Sequence, residues 1–473
     1  MKIRLVLVLG AAAVAAAIAA RGLWRGGLTG AAAPAAREIA GPAAAPEGPS
    51  GGPPAAGESP SRTEPTASEG SAPDVLDVAD GEDWPRFMGP RGDGISRERG
   101  WIKDWEPAGP PALWRARVGE AYSAPVTTGG RLVFFHRIGD EEVIHCVEAE
   151  TGDGLWHYRY PTQYEDRYGY NGGPRCSPII DGDRVYAYGA EGKLTCVEFE
   201  DGRLVWQRHV NAEYGVPQNF FGAGTSPVVE GDLLLLNLGG SNGAGLAAFD
   251  KHTGRTVWTT SSDGASYSTP AVITLRGERL AVFFTQDGLL VVEARSGAER
   301  YRYRFRSALY ESVNAASPVV LDDLVFLSAT YNTGAVLLRL AAGGLEEVWK
   351  DRLAMQNHWA TSIPHEGFLY GMDGRHEAGS NFRCIELMTG RIRWTADQGL
   401  GRASYLLAEG HLIALGERGE LALIELNPDR YVEKHRTPVL RYPCWTPPVL
   451  SHGLLFLRNE NTLLCLDLRP RRQ

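Results

Sequence analysis

The sequence predicts an all-β fold: an eight-bladed β-propeller of four-stranded antiparallel blades, its ring closed by an N-terminal strand. Three observations carry that expectation. A strand-turn-strand unit recurs from end to end, the landmarks are spaced for four strands per copy, and the final copy lacks one strand.

The recurring unit is clearest from Leu246 to Trp258. An apolar run reaches Asp250, Thr253-Gly254 supplies the turn, and a second run ends on Trp258. Glycine suits such a turn because its backbone often needs positive φ. The same four-residue step from Gly to Trp recurs at Gly152 and Trp156, Gly202 and Trp206, and Gly390 and Trp394, with looser copies ending on Tyr301 and Trp349. A Ser-Pro-Val-Val element precedes each hairpin. Taking Pro125, Pro178, Pro227, Pro270, Pro318, Ile363, Tyr405 and Pro447 as equivalent gives steps of 53, 49, 43, 48, 45, 42 and 42 residues. Propeller repeats run about 40 to 50 residues. Strands alternating with helices are excluded, because no 12-residue stretch after residue 100 has helical periodicity.

In chain order, residues 1–25 read as a secretory signal or N-terminal anchor: Lys2 and Arg4 precede an uncharged Leu/Val/Ala run from Leu5 to Ala20. That run is short for a spanning helix, which needs about 20 strongly apolar residues. Residues 26–82 are rich in Ala, Pro, Gly and Ser and read as a disordered linker. Folded chain starts at Asp83-Trp84-Pro85-Arg86-Phe87-Met88-Gly89-Pro90 and runs from 83 to 473. Residues 113–118 look like the last strand of a blade, although no blade precedes them. Residues 463–468 are a third strand without its hairpin partner. Pairing the two would close the ring and cover an otherwise open edge.

The Asp/Glu-x-x-Thr-Gly-x-x-x-Trp hairpins resemble the PQQ-like (pyrroloquinoline-quinone-like) repeats of quinoprotein alcohol dehydrogenases and of BamB, the propeller of the outer-membrane β-barrel assembly machinery. The Trp-Pro-x-Phe-x-Gly-Pro opening, residues 370–377 and Cys444-Trp445-Thr446-Pro447-Pro448 are similar to secreted bacterial propellers of the PQQ-binding-like type. The resemblance covers residues 83–468. It implies the fold, and function must be argued from a site.

About 390 residues after the linker are enough for one large core. A net charge of −9 argues against nucleic acid as a partner. Cys146, Cys196, Cys384 and Cys465 occupy one third-strand position in four blades and read as small core residues, while the pairing of Cys176 and Cys444 is left open.

In such a blade the inter-blade loops and the second-to-third strand loops share one face. The long loops fall there, at 158–175, 211–224, 239–245 and 373–381, whereas the opposite face has tight turns. Function is expected on the long-loop face. Residues just before each inner strand supply the candidate ligand-binding rim: Arg175, Asn219, Phe221, Tyr267, Asn314, His358, Trp359, Arg402 and Trp445. The adjoining loops add Arg375, His376, Glu377 and Asn459. This set suits a small polar or anionic ligand, or else a hydrogen-bonded rim that keeps the blades in register. Arg175, Arg375 and Arg402 would present cationic forks to carboxylate or phosphate. His358 or His376 would make binding pH-dependent near neutrality.

Cys-x-x-Cys-His, His-Glu-x-x-His and spaced Cys/His zinc patterns do not occur in the sequence, no metal is expected, and no catalytic residue is assigned. Three function classes stay open. The first is a non-catalytic envelope module that binds a protein, as the resemblance to BamB implies. The second is a PQQ oxidoreductase, although the adjacent Cys-Cys and the calcium ligands of such enzymes are not found. The third is an enzyme of unrecognised type using the Arg/His/Glu rim. The chain is expected to be exported, monomeric, and joined to a membrane only through a possible N-terminal anchor.

Overall fold

The computed structural model describes residues 37–39, 80–309, 312–397 and 399–470. Eight separate sheets each hold four antiparallel strands, consecutive in the chain in seven of them. Blade 1 comprises Val126–Thr128, Arg131–Ile138, Glu141–Glu148 and Gly154–Pro161. Its second and third strands are buried almost throughout, because neighbouring blades cover both faces, whereas the outer strand buries chiefly Trp156 and Tyr160. This explains why inner runs read as continuously apolar and outer runs alternate. Blades 2 to 7 span 179–209, 228–260, 271–304, 319–351, 363–396 and 404–438. The apolar core lies between blades; Tyr186 and Tyr188 of blade 2, for example, belong to one cluster with Leu234, Leu236 and Phe249 of blade 3.

Blade 8 is assembled from both ends of the chain. Its strands Val449–Ser451, Leu454–Arg458 and Thr462–Asp467 accept Ala112–Arg117 as the fourth, with Trp114 opposite Cys465. The expected closing strand is therefore present, one residue earlier than read from sequence. Arg37–Ile39, inside the stretch read as linker, adds a further short strand, parallel to Ala112–Arg117. Its backbone covers an edge that would otherwise be open. Three residues are too few to register in composition. The signal or anchor and linker residues 26–36 and 40–79 lie outside the described residues, whereas Glu82, read as linker, is bonded into the folded part.

The repeated Trp and Gly have one cause. Each Trp indole donates to a carbonyl of the next blade: Trp114 to Ala149 (3.0 Å), Trp156 to Phe199 (2.9 Å), Trp206 to Lys251 (3.0 Å) and Trp258 to Ala294 (3.1 Å). Trp349 and Trp394 do the same with Leu387 and Asn427, and the Tyr301 hydroxyl substitutes with Ala341. The indole lies on the next blade's turn. A Cβ at Gly254 would sit 2.7 Å from Trp206 Cε3, and φ there is +69°. Opposite the ring on its own blade stands a small residue: Cys146, Cys196, Cys384 and Cys465 face Trp156, Trp206, Trp394 and Trp114. All six cysteines are free and buried.

The Ser-Pro element also stitches blades together. The hydroxyls of Ser177, Ser226, Thr269, Ser317 and Thr361 accept the backbone N–H of Ala124, Ser177, Ser226, Thr269 and Ser317, each in the preceding blade. Proline follows because the inner strand begins there and has no ladder partner on the channel side. Strand pairing corrects two landmarks. Ser362 and Pro448, rather than Ile363 and Pro447, are equivalent to Pro125, since Ile363↔Tyr370 and Val449↔Phe456 match Val126↔Val133.

The N-terminal segment crosses the channel. Trp84 exchanges backbone hydrogen bonds with Thr127 of blade 1, and the Pro85 carbonyl accepts from Ile180 of blade 2. Ile95–Ser96 then pairs in parallel with the inner strand Ser404–Ala408 of blade 7. Buried Glu98 accepts the amides of Glu82 (3.1 Å), His452 (2.5 Å) and Gly453 (2.9 Å), which fixes the segment to blade 8.

Candidate functional site

Three residues before the landmark of each blade stand Tyr122, Arg175, Gly224, Tyr267, Ala315, Trp359, Arg402 and Trp445. All eight line one cavity of about 220 Å³ at the channel mouth. Tyr170, Phe221 and His358 join them from the long loops, and Phe87 and Met88 of the N-terminal segment also line it. The aromatic rings run in near-continuous contact, with centroids 5.6 Å apart for Tyr267 and Phe221, 5.8 Å for Phe221 and Tyr170, 5.5 Å for Tyr170 and Trp445, and 5.6 Å for Trp445 and Trp359. Space on the other side comes from the small members. A Cβ at Gly224 would stand 2.1 Å from Tyr267 Cδ1, so this blade can carry no side chain at ring level.

The two arginines of the ring are neutralised from within. Arg402 lies between Trp359 and Trp445, 4.8 and 5.2 Å from their centroids, and its fork donates to the fully buried carboxylate of Glu417. Trp445 Nε1 donates to the same carboxylate at 2.7 Å. Arg175 pairs with buried Asp166 at 2.8 Å and lies over Tyr164 and Tyr122. Buried pairs of this kind hold together because other donors fill the remaining lone pairs. His358 behaves differently. Burial, with Arg402, Arg375 and His376 nearby, pushes its pKa down to about 3, and its Nδ1 is buried without a partner among the described residues.

A family model described as outer membrane protein assembly factor BamB matches residues 98–240 and 140–396, together more than half of the chain. The chain belongs to the BamB family. The BamB of Burkholderia pseudomallei (strain K96243) is 26% identical over 175 residues, 37% of this chain and 41% of that protein. The chain thus spans less than half the length of this relative. Among solved structures, BamB from Moraxella catarrhalis superposes with a TM-score of 0.55 at 12% identity, covering 76% of this chain and 98% of that one. A quinohemoprotein alcohol dehydrogenase from Comamonas testosteroni gives 0.58 at 10% identity, covering 83% and 81%. At such identities the structural likenesses show the fold alone.

In this BamB-family propeller the residues proposed from sequence separate into two groups. Arg175, Phe221, Tyr267, His358, Trp359, Arg402 and Trp445 line the cavity together. Asn314 does not, since its amide donates to the carbonyls of Thr285 and Phe305 inside the fold. Asn459 is a turn residue, accepting Asn461 and Thr462 amides and donating to the Arg441 carbonyl. Asn219 lies beside the cavity on a turn with φ 56°. Arg375, His376 and Glu377 lie on the loop between the second and third strands of blade 6, where Arg375 stacks 4.5 Å over Tyr331 and Glu377 binds Arg418.

Two expectations from sequence are corrected. Arg175 and Arg402 are not open forks for an anion, because Asp166 and Glu417 occupy them. His358 does not titrate near neutrality, because burial and the neighbouring arginines push it down to about 3, and burial with the same arginines also lowers His376. Sequence reasoning missed Tyr122, Gly224 and Ala315, although they hold the same repeat position as the residues it chose. It also missed Asp166 and Glu417, which belong to no repeat position.

Proposed function

We propose that this chain is a non-catalytic scaffold of outer-membrane protein assembly, exported from the cytoplasm, which docks a partner protein on its long-loop face. The supporting observation is the aromatic ring at the channel mouth. Its arginines are pinned by buried carboxylates, so the surface is rigid, nearly charge-neutral and rich in the side chains that anchor protein interfaces. Tyr168, Tyr170 and Tyr442 extend it outward as exposed rings. Membership of the BamB family supports the same reading.

The quinoprotein alternative asks for a calcium held by carboxylate and amide oxygens, and for cationic groups facing the acid groups of the quinone. The donors at this mouth do not fit that pair. Both ring arginines already hold Asp166 and Glu417, and each of those carboxylates is filled by its arginine and by further donors.

The test measures binding of the purified chain to purified components of the β-barrel assembly machinery. Trp359→Ala with Tyr170→Ala should weaken binding at least about tenfold, as expected for anchor residues, while Arg276→Ala on the short-turn face leaves it unchanged. Unchanged binding by the ring variant would overturn the proposal. So would dye reduction with alcohols after adding the quinone and Ca²⁺. Export is checked separately, by a reporter fused after Asp80 that should be active only outside the cytoplasm.

A further inference from the structure

The segment that crosses the channel leaves a second chamber of about 250 Å³ among the inner strands of blades 3 to 6, with Phe87, Thr269 and Thr361 common to both chambers. Its walls are mainly apolar, from Pro270, Ile273, Pro318 and Val320. One cation faces this space with almost nothing to hold. The only hydrogen bond that the Arg86 side chain makes to the described residues is from Nε to the Gly89 carbonyl at 3.3 Å, and no carboxylate of the described residues lies within ion-pairing distance of it. The nearby acids are engaged elsewhere: Asp93 with the Ile95 amide and Arg91, and Glu230 with Arg279. Gly92 leaves room beside the guanidinium, since a Cβ there would come 3.4 Å from Nη2.

Hydroxyl donors meet the same space. Thr269, Ser317 and Thr361 all line the chamber. Each hydroxyl accepts a backbone N–H of the preceding blade, and none donates to another described residue. An inward guanidinium with free N–H groups, three hydroxyl protons and apolar walls form the complement of one chemical class. We propose that this chamber binds a carboxylate with an apolar body: a short aliphatic acid, or the C-terminal carboxylate of a peptide ending in an aliphatic residue. The acid group meets the Arg86 fork, where a charge-assisted pair gains from partial exclusion of water. The hydrocarbon lies against the proline and valine walls. This site shares Phe87, Thr269 and Thr361 with the mouth cavity but uses neither ring arginine.

The experiment uses the full chain and calorimetric or ligand-detected NMR titration with hexanoate, hexanamide, and acetyl-Val-Leu as free acid and as amide. Both acids, or one of them, should bind, and the one that does identifies the source. The amides should bind at least about tenfold more weakly, and Arg86→Met should weaken acid binding by a similar factor, the usual worth of a charged hydrogen bond. Should Arg86→Met melt far below the parent, Val320→Phe fills the chamber without touching the cation and should abolish acid binding instead. The proposal is overturned if neither acid binds, if amides bind as well as acids, or if the folded Arg86→Met or Val320→Phe variant binds as the parent does.

Discussion

Gly254 and His358 show how much one residue can report. Gly254 combines a left-handed backbone with a ring pressed on its α-carbon, whereas Gly231 has similar φ (+57°) but nothing within 4 Å. Gly231→Ala should then cost only the backbone term, about 1 kcal/mol. Gly254→Ala should add the displacement of Trp206, for a total of roughly 2–4 kcal/mol. Denaturant melts compare them directly, and equal losses would mean that the indole yields freely. For His358 the pKa falls from 6.5 to about 3 on folding, by burial first and then by Arg402, Arg375 and His376. Between those values the unfolded chain takes up a proton that the fold refuses. Its contribution is therefore complete above pH 6.5 and is lost as pH falls toward 3, with a slope of at most about 1.4 kcal/mol per pH unit. His358→Gln should flatten the acid limb of the stability profile by that slope. Parallel acid limbs for variant and parent would show that His358 is protonated in the fold.

At the scale of the element, the hairpin and the indole it receives act as a pair across blades. Trp206→Phe keeps a ring but loses the bond to the Lys251 carbonyl, at a cost of about 1 kcal/mol. Trp206→Ala combined with Gly254→Ala should cost less than the sum of the single changes, because the clash vanishes with the ring. Strict additivity would separate the two residues. This pairing also explains what sequence could reveal. The Gly-to-Trp step is visible because every junction of that type needs it, while the Ser-Pro landmarks carried the blade number and the incomplete last copy the closing strand. The cavity was visible where a repeat position is occupied by a large residue, as at Arg175, Tyr267, Trp359, Arg402 and Trp445. At Gly224 and Ala315 the same position contributes by being small, which leaves no mark in a search for chemistry. Asp166 and Glu417 were hidden for another reason: they lie 9 and 15 residues from the arginines they neutralise, and no spacing rule joins them. The channel segment was equally silent, since residues 83–96 occur once and only the folded ring shows that they cross its centre.

For the whole molecule, closure is the property that every blade shares. Deleting residues 112–117 removes the partner of Thr462–Asp467 and the Trp114 bond to Ala149 in blade 1. The variant should aggregate or lose most of its thermal stability, as an exposed central-type edge does. A melt within a degree or two of the parent would show that the ring does not depend on this strand. The register that seals the ring joins Trp114 to Cys465, 351 residues apart by their numbers. Bringing such distant segments together costs about 5 kcal/mol of chain entropy by the (3/2)RT ln n rule. Contacts that remote form late. In a chain emerging from its N-terminus, residues 112–117 must wait for residues 462–467, their antiparallel partner, before the ring can close. Until residues 462–467 are present the ring is open, and that interval is when a chaperone has most to protect.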